Sequence, residues 1–148
     1  MPNSDYAHPV GDGTKITQGR THSTGFAAVC AVLWAERDLL GSLARTVVVG
    51  RLAGTPSGTG VVLTPRRPVA GQRLVIERLR LQEVLRASVV DAAVGPLTGP
   101  MTLAELAARA PEPWSTMLMD HRAALCGLVA DLDSLAVLSQ LSLTEFLA

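Results

Sequence analysis

Residues 114–135 read WSTMLMDHRAALCGLVADLDSL, and the spacing of the apolar residues in this stretch decides the fold. Trp114, Leu118, His121, Leu125, Leu128, Leu132 and Leu135 recur at alternating steps of four and three. Such steps put side chains on one side of an α-helix and form a heptad seam. Asp120, Arg122 and Asp133 fall away from that seam, as on a helix with one solvated face. A seam of this kind needs other helices to cover it.

Both flanks carry helix-start signals. Upstream, Thr102-Leu103-Ala104-Glu105 is a capping box, with Met101 and Leu106 at the positions of a hydrophobic staple. The helix it opens is short, because Pro111 and Pro113 follow. Downstream, Ser142-Leu143-Thr144-Glu145 repeats the box, with Leu141 and Phe146 as the staple. A helix of so few residues is unstable alone. It is expected to dock on the body, to bind a partner or to belong to a longer helix. Leu135, Leu138, Leu141, Leu143, Phe146 and Leu147 crowd into this region. They fit either intramolecular docking or a surface that accepts an amphipathic partner helix.

Further upstream, the spacing predicts a helix over 73–94, ended by Gly95-Pro96. Its apolar stripe is Leu74, Leu81, Leu85, Val89 and Ala92, widened by Val75 and Val84. Arg73 stands four before Glu77, and Glu83 three before Arg86, as on a solvated surface. Another helix is predicted over 26–49 from Phe26, Val29, Leu33, Leu40, Leu43 and Val47, with Glu36 interrupting the stripe. Residues 50–72 hold five glycines and three prolines and read as a flexible linker. Residues 1–25 have few large apolar groups and read as a disordered leader. The expectation is an all-α protein. Residues 26–148 form a single domain, an antiparallel helical bundle or hairpin, interrupted at 50–72.

Charge and composition narrow the function. Thirteen basic residues balance thirteen acidic ones, and only five residues are aromatic. This excludes a disulfide scaffold, a strongly basic nucleic-acid binder and an acidic disordered chain. The balance is a cancellation: residues 1–72 carry seven basic and four acidic groups, residues 73–148 six and nine. Cys30 and Cys126 read as free thiols buried on helices. The longest apolar run, residues 26–35, is about half the roughly 20 residues a membrane span requires. With no targeting signal in view, the expected location is the cytoplasm.

Catalytic patterns are missing. Residues 54–60 are glycine-rich, but Val61 stands where a phosphate loop places lysine, and Pro65 and Pro68 deny the helix a dinucleotide fingerprint requires. His121 precedes Cys126 by five residues, a spacing that does not put two metal ligands on one helical face. Asp120 and His121 are adjacent and point to different faces. No enzyme activity, cofactor or metal is therefore expected. Arg66, Arg67, Arg73, Arg78, Arg80 and Arg86 form a basic stretch without aromatic residues to stack a base, and they read as a solvated face. Residues 102–118 hold two short helices, the layout of a helical regulatory module that binds nucleic acid or a protein. Against nucleic acid, residues 87–148 carry two basic and seven acidic groups.

Three blocks carry a family resemblance. They are Leu33-Trp34-Ala35-Glu36-Arg37-Asp38-Leu39-Leu40, the helix from Leu79 to Val90, and Leu103 to Trp114 followed by Asp120-His121-Arg122-Ala123-Ala124-Leu125. Together they cover about half of the chain and resemble actinobacterial FlgN-type flagellar export chaperones. The chain departs from the family at 50–72, where glycine and proline replace continuous helix. The resemblance implies a long antiparallel helical bundle without catalytic activity. Its partners would be the C-terminal helices of hook–filament junction proteins and the flagellar type III export machinery. Neither nucleic acid nor membrane insertion is expected, and a homo-oligomer is compatible. Client contact is expected at Leu135, Leu138, Leu141, Leu143, Phe146 and Leu147.

Overall fold

The computed structural model describes residues 14–53, 70–96, 99–132 and 141–148, and the side chains among them except those of 14–22 and 49–53. The regular structure in these residues is all helical: α1 Thr14–Ala53, α2 Ala70–Val94, α3 Leu103–Arg109, α4 Trp114–Asp131 and α5 Leu143–Leu147. The protein is all-α, as the seam predicts.

Helix α1 has 40 residues, a length of about 60 Å at 1.5 Å per residue. Phe26, Val29, Leu33, Leu40, Leu43 and Val47, the predicted stripe, are all buried, and Cys30 joins them. The helix starts twelve residues before the predicted Phe26, so residues 14–25 are helical rather than a disordered leader. Propagating a helix from a packed segment needs no new nucleus, which composition alone does not register. Residues 1–13 lie outside the described residues. Of the predicted linker, 50–53 complete α1 and 70–72 open α2. Residues 54–69 lie outside the described residues.

Helix α2 packs antiparallel on α1. Gly25 meets Ala93 near one end of the pair, and Glu36 meets Arg86 further along. The approach at Gly25 is close: a Cβ there would stand 2.8 Å from the Ala93 Cα. Only glycine fits without the helices moving apart. α2 stops as predicted at Gly95, whose φ of 85° suits glycine and whose N–H donates to the Asp91 carbonyl at 2.8 Å.

The capping box of α3 forms in full. Glu105 N–H donates to Thr102 Oγ1 at 3.3 Å, and Thr102 N–H donates to Glu105 Oε2 at 2.9 Å. These bonds hold the exposed Glu105 carboxyl below its usual range. Leu103, Leu106 and Ala107 face the core. The α4 seam is borne out as well: Leu118, His121, Leu125 and Leu132 are buried, while Trp114 and Leu128 are partly buried against them. Leu135 lies outside the described residues. α4 covers part of α1 and packs on α3, so α1 is shared between α2 on one side and α4 on another.

Candidate partner-binding surface

The six residues expected to receive a client divide into two groups. Leu135 and Leu138 lie outside the described residues. Leu141, Leu143, Phe146 and Leu147 are buried in the chain's own core, none more than 8% exposed. In this conformation those four side chains form no accessible face. The reason is local: α5 is seated by a polar clamp from α2. Leu143 N–H and the Ser142 hydroxyl both donate to Glu83 Oε1 at 3.0 Å. Arg86 Nη2 donates to Ser142 Oγ at 3.1 Å, and the same guanidinium lies over the Phe146 ring, 4.6 Å from its centroid. Arg122 on α4 donates to the Ala148 carbonyl at 2.9 Å.

The clamp replaces the capping box predicted at Ser142. Ser142 has helical rather than extended dihedrals (φ −67°, ψ −7°) and makes no side-chain cap to its own helix. Its hydroxyl is engaged by Glu83 and Arg86 instead. The α5 N-terminus, which favours negative charge, receives a carboxylate from another helix. A four-residue pattern records only the local option.

Behind the clamp sits a buried ion pair. Arg86 Nη1 donates to Glu36 Oε1, and both side chains are almost fully enclosed, at 5% and 1% exposure. Arg86 was expected on a solvated face, and Glu36 as a break in the α1 stripe. Each instead occupies a core position and supplies the other's partner. Among the described residues, no group hydrogen-bonds Glu36 Oε2. Burial pushes the Glu36 carboxyl up to about 7; Arg86 pulls it down, and Glu83, a like charge, adds to the rise.

Arg86 turns α2 over relative to its predicted orientation. The buried face is Gln72, Ile76, Leu79, Arg86, Val90 and Ala93. The stripe read from the leucines faces outward: Leu74 is 57% exposed, Leu81 65%, Val84 70% and Leu85 50%. Val75 and Val89, at its margin, still touch the core. The true seam was in the sequence at steps of four and three, but Gln72, Glu83 and Arg86 made it look polar. Glu77 also pairs differently from the expectation, with Arg80 at 3.1 Å rather than with Arg73. The result is a helix packed on α1 that presents a row of large aliphatic side chains to solvent, the kind of apolar surface that marks interaction sites where it is contiguous.

His121 lies edge-on to Trp34, with centroids 5.0 Å apart, and Arg37 stacks on the Trp34 ring at 4.2 Å. Burial first, and Arg37 second, lower the His121 pKa, while Asp120 opposes them. The imidazole is thus a packed, neutral seam residue. Burial likewise raises the Cys30 thiol, and both cysteines are free. A cleft of about 710 Å³ opens beside α5, with Glu83, Arg86, Val90, Met101 and Phe146 in its wall. Glu83, Arg86 and Ser142 of the clamp line it together with Asp91, Thr102 and Glu145, so the cleft borders the α5 seat.

Among the described residues no three His, Cys, Asp or Glu side chains stand close enough to hold a metal ion, and no helix is long and apolar enough to cross a membrane. Comparison with known protein families, with curated proteins and with solved structures yields no match for this chain.

Proposed function

We propose that the chain is a cytoplasmic helix-capturing protein of the FlgN export-chaperone type. It shields an amphipathic C-terminal helix of a hook–filament junction protein and presents that client to the type III export machinery, without catalysis or cofactor. The observation that carries this reading is the exposed row Leu74, Leu81, Val84 and Leu85 on α2. Those residues rise along one side of a helix braced by α1, the geometry that accepts a second helix through residues at turn-to-turn spacing. The resemblance of the sequence blocks at Leu33–Leu40, Leu79–Val90, Leu103–Trp114 and Asp120–Leu125 supports the same reading. The docking face moves from the C-terminal cluster, four members of which are already packed inside, to α2.

Affinity on such a face comes from apolar burial, at about 25 cal/mol per Å² before ordering costs. Calorimetric titration of the full chain with terminal-segment peptides of hook–filament junction proteins from the same genome tests the proposal. Saturable binding that is lost in Leu81→Asp is the expected result. Absence of binding to every such peptide overturns it.

A further inference from the structure

The charges beside the α2 row specify the kind of helix it takes. At about 100° per residue, Arg78 borders the row on one side and Arg73 and Arg80 border it on the other, while Glu77 falls within it, between the bearings of Leu81 and Val84. All four are exposed. Glu77 is neutralised by Arg80 at 3.1 Å. Arg73 and Arg78 form no ion pair among the described residues. The row is therefore flanked by two uncompensated guanidiniums on opposite edges, close to Leu74 and Leu81.

Resting on the helix-capture reading, we infer that this face binds an acidic amphipathic helix. Aliphatic side chains of the partner cover Leu74, Leu81, Val84 and Leu85, and Asp or Glu residues on its two margins meet Arg73 and Arg78. Arginine suits this role because its planar fork holds a carboxylate through two parallel hydrogen bonds. A basic helix would add like charge on both margins. So would a second copy of this chain, which brings the same net positive row against itself.

The test uses the full chain and two helical peptides with identical leucine spacing, one flanked by glutamates and the other by lysines. Calorimetry is expected to show the glutamate peptide binding about tenfold tighter. That preference shrinks as salt is raised, and it reverses in the Arg73→Glu/Arg78→Glu double variant. Equal affinities, or preference for the lysine peptide, overturn the charge inference while leaving apolar capture standing. Failure of both peptides overturns the capture reading together with it. Sedimentation of the chain alone is expected to show monomer; a dimer that dissociates in Leu81→Asp would show the row filled by a second copy and also overturn the inference. Because the peptide comparison is made on the unaltered chain, it does not depend on any variant folding.

Discussion

Helices α4 and α2 carry the same three-and-four spacing, yet one shows its buried face in the sequence and the other hides it. In α4 the seam opens on Trp114 and continues as leucine with a single histidine, and Leu118, His121, Leu125 and Leu132 are buried as their spacing demands. In α2 two apolar stripes compete. The richer one, with Leu74, Leu81, Val84 and Leu85, is in solvent, and the poorer one, broken by Gln72 and Arg86, is in the core. Counting apolar residues finds the face that dislikes water most. Which face is buried depends also on what the facing helix offers, and α1 offers a carboxylate at Glu36. The contrast teaches that a charged residue inside an otherwise apolar stripe is a request for a partner, to be sought on another helix.

The strongest way to break the contrast is to remove the partner. Arg86→Ala is expected to lower unfolding free energy by about 3–5 kcal/mol, because it leaves the Glu36 carboxyl enclosed and the α5 clamp without its centre. Urea denaturation followed by circular dichroism measures the loss. The double variant Glu36→Leu/Arg86→Met is expected to recover most of it, since it substitutes apolar groups for both charges. A double variant as unstable as the single one would show that the clamp on Ser142 and Phe146, rather than the pair, dominates.

A second comparison sets the two leucine rows side by side. Leu125→Ala removes a side chain with no exposure and is expected to cost about 3 kcal/mol through lost transfer energy and the cavity left behind. Leu81→Ala removes one that is 65% exposed and is expected to change stability by less than about 0.5 kcal/mol. Equal losses in the same denaturation experiment would mean that the outer row of α2 is packed in solution.

The fold class, the seam of α4, the stripe of α1, the capping box at Thr102 and the stop at Gly95 were all legible, because each rests on a local rule. Residues 14–25 were misread because composition reports the cost of ordering a segment and not the packed helix it extends. Ser142 was misread because a capping box is a local competitor that a carboxylate from Glu83 displaces. The candidate face was visible only as a list of leucines on α2, assigned to the wrong side. Arg86 links the last two errors, since it lies on the buried face of α2 and engages Ser142. The signal that could have found it was Glu36 at a core step between Leu33 and Leu40.

Protonation offers the gentlest probe of the same pair. Burial raises the Glu36 carboxyl to about 7 from an ordinary 4.5. Between those values the folded chain keeps a proton that the unfolded chain has released, so folding is coupled to proton uptake and stability falls as pH rises. From about pH 5 to about pH 8 the expected loss is about 2 kcal/mol, read as a falling urea midpoint. His121 opposes part of this slope, because its pKa is lowered: its neutral folded form costs stability at the acid end, and that cost disappears as pH rises. Glu36→Gln removes the carboxyl and leaves only the histidine contribution, so the falling limb is expected to vanish. In Arg86→Ala the limb steepens and extends to higher pH, because the cation that holds the carboxyl down is gone. A wild-type midpoint that follows the Glu36→Gln profile, with no falling limb between pH 5 and pH 8, would mean that Arg86 outweighs burial at Glu36 and keeps the pair ionised throughout.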